Sequence, residues 1–144
     1  MKILLAVDDS KYSQAALQSV LQKAHPEEAK VRVLHVLEPI LKTQPRSSYR
    51  VYAEMMVQRR QDATEMVKRA AESLKAVGFK TCSFALGSGI PKVVILDEAK
   101  KWGADLIVLG SHGRMGLDLI LLGSLSKAVA RRAACSVEIV RAPA

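Results

Sequence analysis

Five short apolar runs alternate along the chain with longer segments in which apolar residues recur at helical spacing. An uninterrupted apolar run is typical of a strand that is covered on both faces, as in a parallel sheet. The predicted strands are residues 2–7, 31–36, 79–86, 104–110 and 136–140. The run at 79–86 alternates apolar and polar residues, which places it nearer an edge. The run at 104–110 is the most apolar and should lie centrally.

Four segments between these runs predict helices. They lie at residues 11–24, 49–77, 91–102 and 124–132. Asp9 or Ser10 can cap the first helix, and Gly78 is placed to end the second in a left-handed conformation. Pro91 suits the first turn of the third helix. The proline-containing segment 38–48 reads as a loop.

The order of these elements indicates the fold class. Strands that alternate with helices form a parallel sheet with right-handed crossovers and helices on both faces, so the chain reads as an α/β fold. The sequence shows no internal repeat and no linker, and we expect one domain over residues 1–144. The strand at 136–140 should lie at a sheet edge, where exposed backbone invites pairing with a second copy.

Composition narrows the class of protein. Apolar residues make up 49% of the chain, too many for a disordered protein. No apolar run reaches the roughly 18 residues that a membrane span needs. The opening MKILLAVDDS has too short an apolar part for a signal peptide. Cys82 and Cys135 stand far apart and should be free, partly buried thiols, so we expect a cytoplasmic protein.

The chain is basic, with 22 Lys and Arg residues against 14 Asp and Glu residues and a formal charge of +8. A basic chain attracts nucleic acid, anionic membranes or phosphorylated small molecules. The basic residues are spread over the polar faces of the predicted helices, with no interleaved aromatic residues for base stacking. We therefore read them as a solvated surface and do not expect nucleic-acid binding.

The densest cluster of glycines follows the fourth predicted strand, in the stretch LGSHGRMGLDLILLGSLSKAV at 109–129. In an open parallel sheet, ligands bind beyond the carboxyl ends of the strands. Two such tips are candidates here, AVDDS at 6–10 and LGSHG at 109–113. If these tips are neighbours, a crevice opens between them.

The glycine positions favour an anionic ligand. Gly110 and Gly113 lack side chains, so the backbone there can lie against a bound molecule. Gly123 and Ser124 open a helix, where unpaired N–H groups and partial positive charge favour phosphate. Two familiar phosphate motifs are absent from the sequence, G-x-x-x-x-G-K-[ST] and G-x-G-x-x-G. The stretch GSGIPK at 87–92 begins like the second motif but reads as a strand-to-helix turn.

Five stretches together resemble one known family over essentially the whole chain. They are AVDDS at 6–10, LHVLEP at 34–39, GIP at 89–91, ADLIVLGSHGRMGL at 104–117 and LLGSLSKAVARRAACSVEIV at 121–140. The chain resembles the universal stress proteins, and the spacing Gly110-x2-Gly113-x9-Gly123-Ser124 is similar to that of their ATP-binding branch. The resemblance implies a three-layer, Rossmann-like fold. Its open, twisted, parallel five-stranded sheet would have the order 3-2-1-4-5.

The resemblance also implies a site for ATP and Mg²⁺. The implied contact residues come from the tips of several strands and are Ala6, Val7, Asp8, Val36, Leu109, Gly110, His112, Gly113, Arg114, Gly123, Ser124 and Leu125. Asp8 would meet the ribose and, through water, the metal, since a carboxylate accepts from hydroxyls and attracts a hydrated cation. His112 and Gly113 would lie near the phosphates. Residues 123–125 would offer hydrogen-bond donors to them.

The remaining implied contacts are with the nucleoside. Ala6 and Val7 would place their backbone beside the adenine, and Val36 would be an apolar contact with it. Leu109 and Gly110 would lie along the ribose.

Three residues have two readings. Asp9, where the family often has glycine, either disturbs the phosphate path and recruits metal or caps the helix, and we favour the cap. His112 is either a phosphate donor or general base, or it holds the loop by hydrogen bonds. We favour binding or structure for His112, because no residue nearby in sequence is placed to orient it. Arg114 reaches either phosphate or solvent.

These observations lead to a functional expectation. We expect a stress-linked nucleotide sensor with little catalysis, paired as a homodimer through the edge strand at Val137–Val140. One alternative is a slow ATPase that uses His112 or a carboxylate. Another is a dimeric interaction module with a vestigial pocket. The choice among ATP, AMP and a cyclic nucleotide stays open, since adenine would be contacted mostly by backbone.

Overall fold

The computed structural model describes residues 1–40, 49–113 and 122–143. Strands and helices alternate along the chain. The elements are β1 (Lys2–Ala6), α1 (Lys11–Lys23), β2 (Lys30–Leu37), α2 (Tyr49–Ala76), β3 (Cys82–Ser88), α3 (Pro91–Trp102), β4 (Leu106–Gly110), α4 (Ser124–Arg132) and β5 (Ser136–Val140). The five strands form one parallel sheet in the order β3-β2-β1-β4-β5. This confirms the three-layer fold and the expected strand order.

Alternate residues of β1 face opposite sides of the sheet and build two cores. Leu5 faces the side covered by α1 and α2, where Val67 and Leu74 are fully buried. Leu4 faces the other side and packs with Ile95 of α3 and Val129 of α4. Because both faces are covered, a strand such as β1 has to be apolar at every position.

The turn after α2 shifts the third strand from its predicted position. Gly78 has a φ of 109°, as expected for a left-handed helix stop. The Phe79 N–H donates to Leu74 O at 3.2 Å, and the Phe79 ring is buried. The prediction of a strand at 79–86 was therefore wrong at both ends. Phe79 belongs to the helix stop, and β3 continues through Gly87 and Ser88 because β2 extends to Leu37 to pair with it.

The edge strands are β3 and β5, as predicted, and β4 has a neighbour on each side. The backbone of β5 faces β4 and the open edge in alternation. Val140 O accepts from Ser111 N at 2.8 Å, so the backbone groups of Val140 and Glu138 point toward β4. The N–H and C=O groups of Val137 and Ile139 therefore point to the open edge.

Glu138 ties this edge strand to α1. Its Oε1 accepts from the hydroxyl of the buried Ser19 and from Lys23 Nζ, the latter at 3.1 Å. The Ser19 hydrogen bond, aided by Lys23, holds the pKa of the Glu138 carboxyl below its usual range.

Both cysteines are free and half-buried, as predicted. Burial raises the pKa of the Cys82 thiol and that of the Cys135 thiol, which keeps both protonated at neutral pH. No helix within the described ranges 1–40, 49–113 and 122–143 is long and apolar enough to cross a membrane.

Candidate functional site

A crevice of about 1370 Å³ opens at the carboxyl ends of the strands. It is lined by the ends of β1, β2 and β4 and by the first turns of α3 and α4. All but one of the predicted site residues line it: Ala6, Val7, Asp8, Val36, Leu109, Gly110, His112, Gly113, Gly123, Ser124 and Leu125. The exception, Arg114, lies outside the described residues. The volume exceeds the roughly 300–1,000 Å³ of common ligand pockets, so a nucleotide-sized molecule fits.

Asp8 follows β1 and is held by two hydrogen bonds. The Asp8 backbone N–H donates to Ser13 Oγ at 2.8 Å, and Asp8 Oδ1 accepts from Ser10 N at 2.8 Å. The N-cap of α1 is Ser10, whose Oγ accepts from Ser13 N at 3.2 Å. Our preference for Asp9 as a cap was therefore wrong, and Asp9 lines the crevice beside Asp8.

The carboxylate of Asp8 lies close to Gly113, the first glycine after β4. A Cβ added to Gly113 would sit 3.4 Å from Asp8 Oδ2, so the two tips predicted to be neighbours are in contact distance. Glycine at position 113 thus keeps the space beside this oxygen clear.

Gly110 has a structural reason to be glycine. A Cβ there would lie 2.7 Å from the carbonyl carbon and the Cβ of Tyr12, in the first turn of α1. No side chain fits at that separation. The close packing of α1 on the end of β4 is enough to account for glycine at position 110, whatever the ligand.

The start of α4 is held against the end of β4. Gly123 N donates to Ser111 O at 2.8 Å, and a Cβ on Gly123 would lie 3.0 Å from that oxygen and 3.3 Å from the Cα of His112. The expectation that Gly123 offers an open amide to a ligand was therefore wrong, because this N–H is already donated. Glycine leaves room for the close approach, which a Cβ would crowd.

The next amides of α4 differ from that of Gly123. The N-cap residue is Gly123, and no side chain caps the helix. Within the described part of the chain, the N–H groups of Ser124 and Leu125 have no backbone acceptor outside the helix. The first amides of a helix carry partial positive charge, so this wall of the crevice attracts anions.

His112 is oriented by its neighbours. Its Nδ1 lies 3.1 Å from Ser111 Oγ, and its ring packs against the Tyr12 ring with centroids 4.9 Å apart. The statement that no residue nearby in sequence orients His112 was wrong, since Ser111 is adjacent to it. A serine before a loop histidine is too common a pair to stand out in one sequence.

His35 of β2 is a buried residue of the crevice. It is 9% exposed and lines the crevice, and its Nδ1 lies 2.7 Å from Val7 O. A carbonyl oxygen only accepts, so Nδ1 carries the hydrogen. The bond crosses from β2 to the end of β1 and fixes the two tips relative to each other.

The start of α3 was missed as part of the crevice. Ile90, Lys92 and Ile95 line the crevice, and Ile90 is the N-cap of α3 without a side-chain cap. The GSGIP stretch does form a strand-to-helix turn. Because β3 is parallel to its neighbours, its turn had to fall at the same edge of the sheet as the other tips, which was the available signal.

Two further cations line the crevice beside Lys92. Arg59 of α2 donates through Nη1 to Glu38 O at 3.1 Å, and Lys127 extends from the second turn of α4. With Asp8 and Asp9 at the end of β1, the crevice has both signs of charge. Residues 1–40, 49–113 and 122–143 contain no cluster of three metal-ligating side chains.

Comparisons with known proteins agree with this architecture. A family model described as the universal stress protein family matches residues 1–141. A universal stress protein of Methanocaldococcus jannaschii, MJ0531, is 33% identical over 144 residues, covering 99% of this chain and 82% of that protein.

Two solved structures have the same fold. Universal stress protein UspA from Lactobacillus plantarum superposes with a TM-score of 0.85 at 27% identity, covering 98% of this chain and 97% of that one. A universal stress protein solved in complex with cAMP gives a TM-score of 0.68 at 25% identity, covering 99% and 98%. With the family match over nearly the whole chain, the conclusion follows that the chain belongs to the universal stress protein family.

Proposed function

We propose that this single domain binds an adenine nucleotide, ATP together with Mg²⁺, and acts as a stress-linked sensor. The observation that carries the proposal is the uncapped start of α4, which faces the crevice across from Asp8. A nucleotide has an anionic end, a hydroxyl-bearing sugar and a flat apolar base. Helix amides, a carboxylate and apolar side chains are the matching surfaces.

The phosphates belong at α4 in this proposal. The N–H groups of Ser124 and Leu125 and the Ser124 hydroxyl are the donors, and His112 and Gly113 border the same space. Gly123 contributes by close approach to Ser111 rather than as a donor. Lys127 and Lys92 add positive charge at the two helix starts. Arg114 remains a predicted phosphate contact.

The nucleoside belongs at the ends of β1, β2 and β4. Val36 packs with the core on the α3 and α4 side, together with Leu109 and Ile95, which gives an apolar surface for adenine. The backbone at residues 6–7 borders the same surface, and Gly110 follows Leu109 toward the ribose.

The carboxylate of Asp8 suits both the ribose and a hydrated Mg²⁺. Mg²⁺ typically keeps several waters and binds one or two carboxylates together with substrate phosphates. Asp8 Oδ1 accepts from Ser10 N, and Oδ2 lies beside Gly113, on the side where the phosphates are proposed to sit. When bound, the metal would neutralise the part of the negative phosphate charge that the cationic side chains do not balance.

The comparison with a family member of known ligand supports the class of molecule. A universal stress protein of the same fold was solved with cAMP, which shares adenine, ribose and phosphate with ATP. We propose ATP rather than a monophosphate because cationic side chains stand at two separate helix starts, Lys92 at α3 and Lys127 at α4.

Binding rather than turnover is the proposed activity. Hydrolysis of ATP needs a residue that orients the attacking water and donors that stabilise the developing charge. The α4 amides are suited to the second task. Ser111 Oγ orients the His112 ring through Nδ1, and we propose that this ring serves phosphate binding or the loop rather than the activation of water.

The sensor is proposed to work as a homodimer in the cytoplasm. The open edge of β5 presents the backbone of Val137 and Ile139, and a second copy can extend the sheet there. The Ser111 N–H donates to Val140 of β5 and the Ser111 C=O accepts from Gly123, so the backbone of one residue joins the edge strand to the start of α4.

Mass spectrometry of the nucleotide released from freshly purified protein tests the proposal. We expect an adenine nucleotide in the wild type and its loss in Gly123→Val, whose side chain separates α4 from Ser111. Ala130→Val, which places the same side chain on the exposed face of α4, should retain the nucleotide. Purified wild type with no nucleotide, and no binding of added ATP, would overturn the proposal and favour an interaction module with a vestigial pocket.

A further inference from the structure

The hydroxyl of Ser126 is buried between two backbone carbonyls. Ser126 is the third residue of α4 and is 1% exposed. Its Oγ lies 3.0 Å from Ser111 O and 3.0 Å from Gly123 O, and both contacts have the hydroxyl as donor. A hydroxyl has one hydrogen, so the two carbonyls share it and none is left for a ligand.

The backbone of Ser111 is anchored through both its C=O and its N–H. Its carbonyl accepts from Gly123 N at 2.8 Å and from the Ser126 hydroxyl, which uses both lone pairs of the oxygen. Its N–H donates to Val140 O at 2.8 Å, and its side chain is buried. The sheet therefore holds the start of α4 at a fixed place through Ser111.

The consequence concerns the two amides that follow Gly123. Hydrogen bonds weaken steeply as distance and angle depart from their optimum, so the donors at Ser124 and Leu125 act together only if the helix start is fixed. Gly123 N supplies one link to Ser111. Ser126 supplies the second, one turn further along, which prevents the helix from rotating about the first.

We propose that Ser126 is a positioning residue that makes the site prefer phosphorylated nucleotides over nucleosides, an inference that rests on the proposed nucleotide function. Ser126 acts through the amides of Ser124 and Leu125, which serve the anionic group alone. An uncharged nucleoside makes its contacts at the strand ends, and its affinity does not depend on the position of α4.

Calorimetric titration of Ser126→Ala with ATP, AMP and adenosine tests this. We expect the affinities for ATP and AMP to fall about five- to tenfold, the size of one lost hydrogen bond, while adenosine affinity stays unchanged. Ser126→Thr keeps the hydroxyl and should restore the preference for phosphate. If the added methyl unfolds that variant, the Ser126→Ala ratios alone decide.

Ser19→Ala is the matched control. Ser19 is also a buried helix serine, and its hydroxyl donates to the Glu138 carboxylate of β5, outside the crevice. Its ATP-to-adenosine preference should equal that of wild type. A preference that survives in Ser126→Ala, or equal losses for ATP and adenosine, would overturn the positioning role alone. A wild type that binds none of the three ligands would overturn the proposed function, and this inference with it.

Discussion

The N–H of Gly123 donates to the carbonyl oxygen of Ser111 at 2.8 Å, across a span of the chain in which residues 114–121 lie outside the described ranges. This bond joins the end of β4 directly to the start of α4. A side chain at position 123 would be 3.0 Å from the same oxygen, so any residue other than glycine crowds the bond. The sheet thus positions the start of α4, whose amides form the anion-attracting wall of the crevice.

Asp8→Asn should reduce the effect of Mg²⁺ on ATP binding. Asparagine keeps an acceptor for Ser10 N, so the end of β1 should retain its conformation while losing the negative charge. We expect ATP affinity in the presence of Mg²⁺ to fall about tenfold toward the metal-free value, measured by titration with and without the metal. Asp9→Asn separates the two carboxylates. If Asp9→Asn alone abolished the effect of Mg²⁺, Asp8 would not be the residue that meets the metal.

Ser19→Ala should lower stability in a pH-dependent way. The pKa of Glu138 is lower in the folded protein than in the unfolded chain. Ionised Glu138 therefore stabilises the fold fully above its unfolded pKa, and this stabilisation is lost as pH falls through its folded pKa. At neutral pH we expect a loss of about 1 kcal/mol, or roughly 3 °C in Tm. The difference from wild type should shrink as pH falls below about 4.3.

Ser73→Ala is the control for this experiment, since the Ser73 hydroxyl donates to a backbone carbonyl, Arg69 O, within α2. Thermal melts of all three proteins over the acid range provide the comparison. A Ser19→Ala difference that stays constant with pH would show that the hydroxyl does not stabilise the ionised form of Glu138.

Val137→Pro should convert the proposed dimer to a monomer. Proline removes the N–H of residue 137, which points to the open edge of β5, and it is tolerated on edge strands. Light scattering after size-exclusion chromatography measures the mass. Glu138→Pro is the contrasting variant, because its N–H points toward β4 and its loss should destabilise the fold. A folded Val137→Pro protein of dimer mass would rule out pairing through β5.

His112→Ala should leave any slow release of phosphate from ATP unchanged. The ring is engaged by Ser111 and Tyr12, and we expect it to support the loop rather than to activate water. Multiple-turnover phosphate release, measured beside ATP affinity, separates these roles. Turnover that disappears in His112→Ala while ATP still binds would favour the slow ATPase instead.

Most of the fold followed from the sequence, because burial on both faces leaves a strong signature in each strand. The apolar run that forms β1 and the helical stripe of α2 were sufficient to predict their type. The prediction failed at 79–81, where Phe79 looked like the first strand residue. Phe79 is buried because it belongs to the helix stop at Gly78. A local apolar pattern does not distinguish a residue buried in a strand from one buried at the end of a helix.

The site could be predicted less completely from the sequence, because hydrogen bonds between different helices and strands produce no regular spacing of residues along the chain. The glycines were recognised, but the roles of two of them were not. Gly110 faces Tyr12 and Gly123 faces Ser111, both at distances that depend on tertiary packing. Ser126 was missed for the same reason, since a serine in the first turn of a helix usually indicates only a start.

Amide NMR spectra of isotope-labelled protein during titration with ATP show whether the phosphates bind at the start of α4. We expect the amide resonances of Ser124 and Leu125 to move downfield with ATP and to stay in place with adenosine, while those of the β3 edge do not change with either ligand. Saturable ATP binding that leaves the Ser124 and Leu125 resonances unmoved would show that the phosphates lie away from the start of α4.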